Sequence, residues 1–129
     1  AINPPAPDPD AVDGLQWRRS RGHEWVDGPP LADGEEGYTR LPIDALLQMA
    51  QGCLLTVSTA VTVPLLLVTS ALDEVVDPFS ADAVAAGVTG PVTRLRLERS
   101  GHVATLGPEC HLLVAAIVRF VATPATPRQ

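Results

Sequence analysis

Val63-Pro64-Leu65-Leu66-Leu67-Val68-Thr69-Ser70 is the stretch on which the reading of the fold turns. It is a short continuous apolar run with a proline near its start and acidic residues beyond its end. Such a run marks a strand buried on both faces of a parallel sheet, since a strand with one wet face would alternate. Downstream, Ser80 to Val88 can form a short helix with Ala83, Val84 and Gly87 facing the sheet. A second strand is expected at Val92 to Glu98, where Val92, Leu95 and Leu97 are interleaved with Thr93, Arg94 and Arg96, so that it is less buried and nearer an edge. From Pro108 to Val121, Leu112, Leu113, Ala116, Ile117 and Phe120 recur at helical spacing and predict an amphipathic helix packed on the sheet. Strand, helix, strand, helix is the parallel unit of an α/β protein.

Upstream, no charge occurs from Ala45 to Leu72, a span longer than the ~20 residues a membrane helix needs. Gln48, Gln51, Thr56, Ser58, Thr59, Thr62 and Pro64, with no basic cluster at either flank, argue against a membrane span. The span divides instead into the strand and a helix from Asp44 onward, which follows Pro42 and carries Leu46, Leu47, Ala50, Cys53 and Leu54 at helical spacing. Residues 1–42 are rich in Pro, Gly, Asp and Glu, as in Pro4-Pro5, Gly28-Pro29-Pro30 and Asp33-Gly34-Glu35-Glu36-Gly37. They read as mostly irregular, with room for one short helix and with Leu15, Trp17, Trp25 and Val26 as apolar anchors. The two tryptophans favour a docked lid over a free tail. After the last helix, Pro124 and Pro127 predict a frayed end.

A chain of 129 residues with 46% hydrophobic content supports one core and not two domains. Its net charge of -6 offers no electrostatic footprint for nucleic acid or an anionic lipid surface. All 9 basic residues are Arg, from which no function is drawn. Cys53 and Cys110 form no Cys-x-x-Cys pair, disulfide framework or zinc pattern, and a reduced, cytoplasmic setting is expected. No secretory signal pattern opens the chain. It begins with Ala rather than Met, a hint of truncation that removal of an initiator Met would also produce.

Asp73 and His102 stand just beyond the two strands, at the carboxyl ends where parallel sheets gather reacting groups. Their segments are Asp73-Glu74-Val75-Val76-Asp77-Pro78 and Ser100-Gly101-His102-Val103-Ala104-Thr105-Leu106. In this order and on these elements they resemble the last two active-site loops of α/β-hydrolases, in particular the bacterial carboxylesterase and monoacylglycerol-lipase-like group. Ile2-Asn3-Pro4 resembles the end of the strand that precedes the cap in that family.

The resemblance implies the C-terminal part of an α/β-hydrolase fold: the last two parallel strands with flanking helices, preceded by a cap-like segment. Residues 1–58 would be the cap, 59–122 the core and 123–129 a disordered tail. Asp73 would hold one ring nitrogen of His102 while the other takes the proton of a serine hydroxyl. No Gly-x-Ser-x-Gly occurs, and Ser20, Ser58, Ser70, Ser80 and Ser100 lack the elbow setting, so nucleophile and oxyanion donors belong to an N-terminal part of the fold outside this chain. The implied reaction is hydrolysis of carboxylic esters of apolar acids, as small-molecule substrates, through an acyl-enzyme. No metal or organic cofactor is implied, and the chain alone would be inactive. One departure is Gly107, where relatives often carry an acidic residue at the cap of the final helix.

Other readings stay open. The same fold class carries thioesterases, peptidases, dehalogenases and C–C hydrolases, and the chain can also be a non-catalytic fragment or binding module. Asp73 alone would read as a helix-capping loop carboxylate, with Glu74 and Asp77 as solvated neighbours or alternative acids. His23, beside Glu24, reads as a surface histidine, and His111 as an exposed residue of the last helix. Val75 and Val103 either line an acyl pocket or simply pack.

Overall fold

A computed structural model describes residues 1–29, 36–55 and 61–123. The tail after Thr123, Ser58, and the loop expected around Asp33 and Gly34 lie outside the described residues. The protein is a mixed α/β structure built on a parallel strand pair. Strand β3 (Leu65–Ser70) pairs with β4 (Val92–Leu97) in register from Leu65 opposite Val92 to Ser70 opposite Leu97. On the other side of β3 runs the start of the chain: Ile2 bridges Val68 in parallel, Val68 N–H donates to the Ala1 carbonyl at 2.9 Å, and Asn3 N–H donates to the Val68 carbonyl at 2.9 Å. β3 is therefore central. Leu66, Leu67 and Val68 are all buried, and because successive side chains point to opposite faces, both faces of the strand are covered. Where β3 and β4 begin, Gly90 approaches the backbone of Thr62 and Val63 so closely that any side chain would run into the Val63 carbonyl.

Helix α3 (Phe79–Gly87) starts where Asp77 Oδ1 accepts from Phe79 N–H at 2.9 Å, and it touches β3. Its buried residues are Ser80 and Ala81, with Val84 and Gly87 half-buried and Ala83 exposed, which corrects the face read from the sequence. Two small residues in the first turn let that end of the helix seat closely, leaving Ala83 outside. Helix α4 (Cys110–Ala122) contacts β3 and β4. Leu113 joins Leu66, Val68, Leu97 and Ala104 in the core, with Leu95, Ala116 and Phe120 packed around them. Leu112 and Ile117, assigned to the same face by spacing, are 46% and 38% exposed. The helix is apolar on nearly all sides, so hydrophobicity alone does not single out the face that meets the sheet.

The N-terminal third is more ordered than its composition implies. Asp8 caps helix α1 (Pro9–Ser20) by accepting from the N–H groups of Asp10 and Ala11, and Pro9 occupies the first turn. Strands β1 (Trp25–Asp27) and β2 (Arg40–Pro42) pair antiparallel, and helix α2 (Ile43–Leu54) follows directly, burying Ile43 and Leu47. α1 packs on α2, with Arg19 paired to Asp44 at 2.8 Å. Trp17 and Trp25 are not the anchors expected of them: they are 59% and 46% exposed, each ring stacked by a guanidinium, Arg21 and Arg40 respectively. The uncharged span is divided between α2 and β3, and no described helix is long and apolar enough to cross a membrane.

Adjacent α4 residues provide a test of this packing. Leu113→Ala should lower unfolding stability by about 2–5 kcal/mol, as for other fully buried leucines, and Leu112→Ala by less than about 1 kcal/mol, measured by urea denaturation.

Candidate active site

The loops that leave β3 and β4 are stitched together at their bases. Ala71 N–H donates to the Leu97 carbonyl at 2.7 Å and Leu72 N–H to the Ser100 carbonyl at 3.2 Å. The first loop then turns on Asp73, whose N–H donates to the Ser70 carbonyl at 3.3 Å and whose Oδ1 accepts from the N–H groups of Val75 and Val76, both at 2.9 Å. An aspartate closing a turn over its own following amides is held in one orientation. That orientation presents the carboxylate to His102 Nδ1, at 3.1 Å from Oδ1 and 3.0 Å from Oδ2.

The chemistry of the pair follows from what each atom can offer. A carboxylate has only lone pairs to give, so the nitrogen facing it carries the proton and the other nitrogen, Nε2, keeps a lone pair. Among the described residues Nε2 has no hydrogen-bond partner. The Asp73 side chain is 6% exposed and the His102 side chain 38%. The acid is thus shielded while the ring is accessible, an arrangement suited to taking a proton from a group brought to the open edge of the ring.

Two polar residues brace this arrangement, and neither was singled out by the sequence. Glu109 is buried at the start of α4, yet its carboxylate turns away from the helix to accept from Arg99 N–H at 2.7 Å, Ser100 Oγ–H at 2.9 Å and Glu98 N–H at 3.2 Å. The Arg99 amide above all, helped by Ser100, Glu98 and the Arg99 charge, holds this carboxyl below its ordinary value of 4.5, against the opposing effect of burial. α4 has no side-chain cap. The Glu109 carboxylate thus serves the loop rather than the helix. Gly107 itself packs on Ser100, where an added Cβ would lie 2.8 Å from the hydroxyl oxygen. The second brace is Asn3, whose side chain joins Ser70 and the His102 carbonyl. Its one signal in the sequence is its place within the Ile2-Asn3-Pro4 segment.

The remaining candidates fall as follows. Val75, half exposed, lines a cleft of about 170 Å³ with Pro5, Ala6, Met49, Ala50 and Cys53, where the start of the chain and α2 face the Asp73 loop. Val103 is exposed and does not line that cleft. Asp77 accepts from the first amide of α3, that of Phe79, and Glu74 is exposed. His111 is exposed on the first turn of α4, and His23 borders an open cleft with Arg19, Glu24 and Asp44. Ser70, Ser80 and Ser100 are buried and Ser20 bonds the Trp17 carbonyl, so none of these serines hydrogen-bonds the His102 ring.

No protein-family model matches the chain, and no curated protein does. Among solved structures, the chain is similar in fold to one from work on LipS and LipT, two metagenome-derived lipolytic enzymes said to increase the diversity of known lipase and esterase families. The TM-score is 0.70 at 24% sequence identity over 93% of this chain. The chain spans about half, 52%, of that neighbour's length.

The depressed Glu109 carboxyl gives a pH-dependent consequence. The native state binds fewer protons than the unfolded chain in acid, so the stabilisation is complete above 4.5 and lost as pH falls through the lowered native value. Urea midpoints measured between about pH 3 and 6 should fall less steeply toward acid in Glu109→Gln than in the unmutated chain.

Proposed function

We propose that this chain is the C-terminal part of an α/β-hydrolase of the bacterial carboxylesterase and monoacylglycerol-lipase-like group, supplying the acid Asp73 and the base His102 of a serine-hydrolase triad. The observation that supports this most directly is the hydrogen bond of 3.0 Å between Asp73 and His102 Nδ1, with Nε2 unpartnered among the described residues. The fold likeness to a lipolytic enzyme points the same way, as does its extent, since the chain spans only about half of that neighbour. In this reading the serine and the oxyanion donors lie in the N-terminal part of the fold, Ala1 to Asn3 continue the core sheet beside β3, and the cap expected over residues 1–58 begins only after them.

Nε2 takes the hydroxyl proton of that serine as the serine oxygen bonds to the ester carbonyl carbon. It returns the proton to the departing alkoxide as the acyl-enzyme forms, and then activates water for the second half of the reaction. Asp73 stabilises the imidazolium that exists between these transfers without itself accepting the proton. The cleft beside Val75 is lined mainly by apolar residues, Met49, Ala50 and Ala6 among them, together with Asp8, Asp77 and Ser80, and is the candidate site for an apolar acyl group, which makes carboxylic esters of apolar acids the proposed substrates.

Coding sequence upstream of Ala1 should contain a Gly-x-Ser-x-Gly. In the protein that includes it, His102→Ala or Asp73→Asn should lower kcat for p-nitrophenyl ester hydrolysis by ~10³–10⁴-fold. The 129-residue chain alone should not react with a fluorophosphonate probe. Ester hydrolysis that persists undiminished in His102→Ala would refute the assignment. Val75→Trp in the longer protein should narrow the cleft and shift preference from butyryl toward acetyl esters, read as the ratio of kcat/KM for the two.

A further inference from the structure

Asn3 is buried 67 residues in sequence from Ser70 and 99 from His102, yet its side chain binds both. Oδ1 accepts from Ser70 N–H at 2.9 Å, and Nδ2 donates to Ser70 Oγ at 3.0 Å and to the His102 carbonyl at 2.8 Å. Both amide hydrogens are therefore used, one reaching the end of β3 and the other the His102 loop. The backbone adopts φ 43° to make this possible, and among the described residues Asn3 is the one non-glycine residue in the left-handed region. Asparagine tolerates that conformation better than most residues, and an aliphatic residue there would have neither the bonds nor the backbone geometry.

A residue that only ended a strand would not need these contacts. Ser70 ends β3 and accepts the Asp73 N–H through its carbonyl, so Asn3 grips the base of the acid-bearing turn. With its other hydrogen it grips the backbone of His102 itself. One rigid amide, fixed to the central strand by Asn3 N–H donating to the Val68 carbonyl at 2.9 Å, sets where the two loops stand relative to each other. We infer that Asn3 is a positioning residue for the Asp73–His102 pair, acting through the His102 main chain and not on substrate. The functional weight of this inference rests on the hydrolase reading above, but the geometric claim can be tested without any activity.

The test is the ring 1H–15N correlation spectrum of the chain. In the unmutated protein the His102 Nδ1–H should be protected by Asp73 and visible, unlike the ring protons of exposed His23 and His111, which exchange freely with water. Asn3→Gly removes the side chain while leaving the backbone free to keep a positive φ. Asn3→Asp keeps the size and the acceptor for Ser70 N–H but sets an oxygen against the His102 carbonyl. In both variants the Nδ1–H signal should vanish or exchange roughly tenfold faster, with circular dichroism unchanged, as for a loop that opens more often. A folded variant of either kind with an unaltered Nδ1–H signal overturns the role, and so does unfolding of both, which would make Asn3 a residue of the fold alone. Absence of the signal from the unmutated chain would remove the proposed function together with this inference, whereas persistence in a folded variant removes the role of Asn3 and leaves the proposed function standing.

Discussion

Because β3 and β4 run parallel and finish together, with Ser70 opposite Leu97, the loops that leave them emerge on one rim of the sheet and side by side. The arrangement of Asp73 and His102 depends on that shared register. A slip of one residue would turn Leu97 out of the core and carry the His102 loop away from its partner. The register is held by apolar packing: Leu66 and Val68 from one strand and Leu97 from the other meet Leu113 of α4 in one cluster. Burial well below the rim thus determines which polar groups meet on it.

Above that cluster the burden passes to hydrogen bonds. The larger apolar residues of the two loops, Leu72, Val75, Val103 and Leu106, are exposed and do not anchor them, and buried polar groups must find partners, so Glu109 and Asn3 grip the loops from either side. Glu109 collects the amides at the end of β4, and Asn3 reaches across from a third, parallel segment. The result is a site whose reactive edge is open while its supports are almost entirely enclosed.

Much of the scaffold is legible in the sequence because it follows from local pattern. The run Val63 to Ser70 reads as a doubly covered strand, and Leu65–Ser70 within it is one; Val92 to Glu98 reads as a less buried strand nearer an edge, and Val92–Leu97 pairs, among the described residues, with β3 alone. The face of α4 is not legible, since Val114, Ala115, Ile117 and Val118 interrupt any contrast between the sides of the helix. The N-terminal segment reads as irregular because its many prolines and acids mask the Asp8-Pro9 start signal and the short β1–β2 pairing. Tryptophan bulk suggests burial, yet arginine stacking satisfies both rings at the surface. Asp73 and His102 stand out by their place after strands. Asn3 and Glu109 do not, because what distinguishes them is the distant or backward-turned partner each one finds, and neither is encoded in nearby residues.

The aliphatic side chains that α4 leaves uncovered have a colloidal consequence. Val114, Ile117, Val118 and Val121 recur at helical spacing and form an exposed stripe along one side of the helix. At neutral pH the net charge of -6 keeps copies of the chain apart despite that stripe. Near the isoelectric point of about 4.8 the repulsion disappears while the stripe remains, so this helix is one apolar surface through which copies of the chain can adhere.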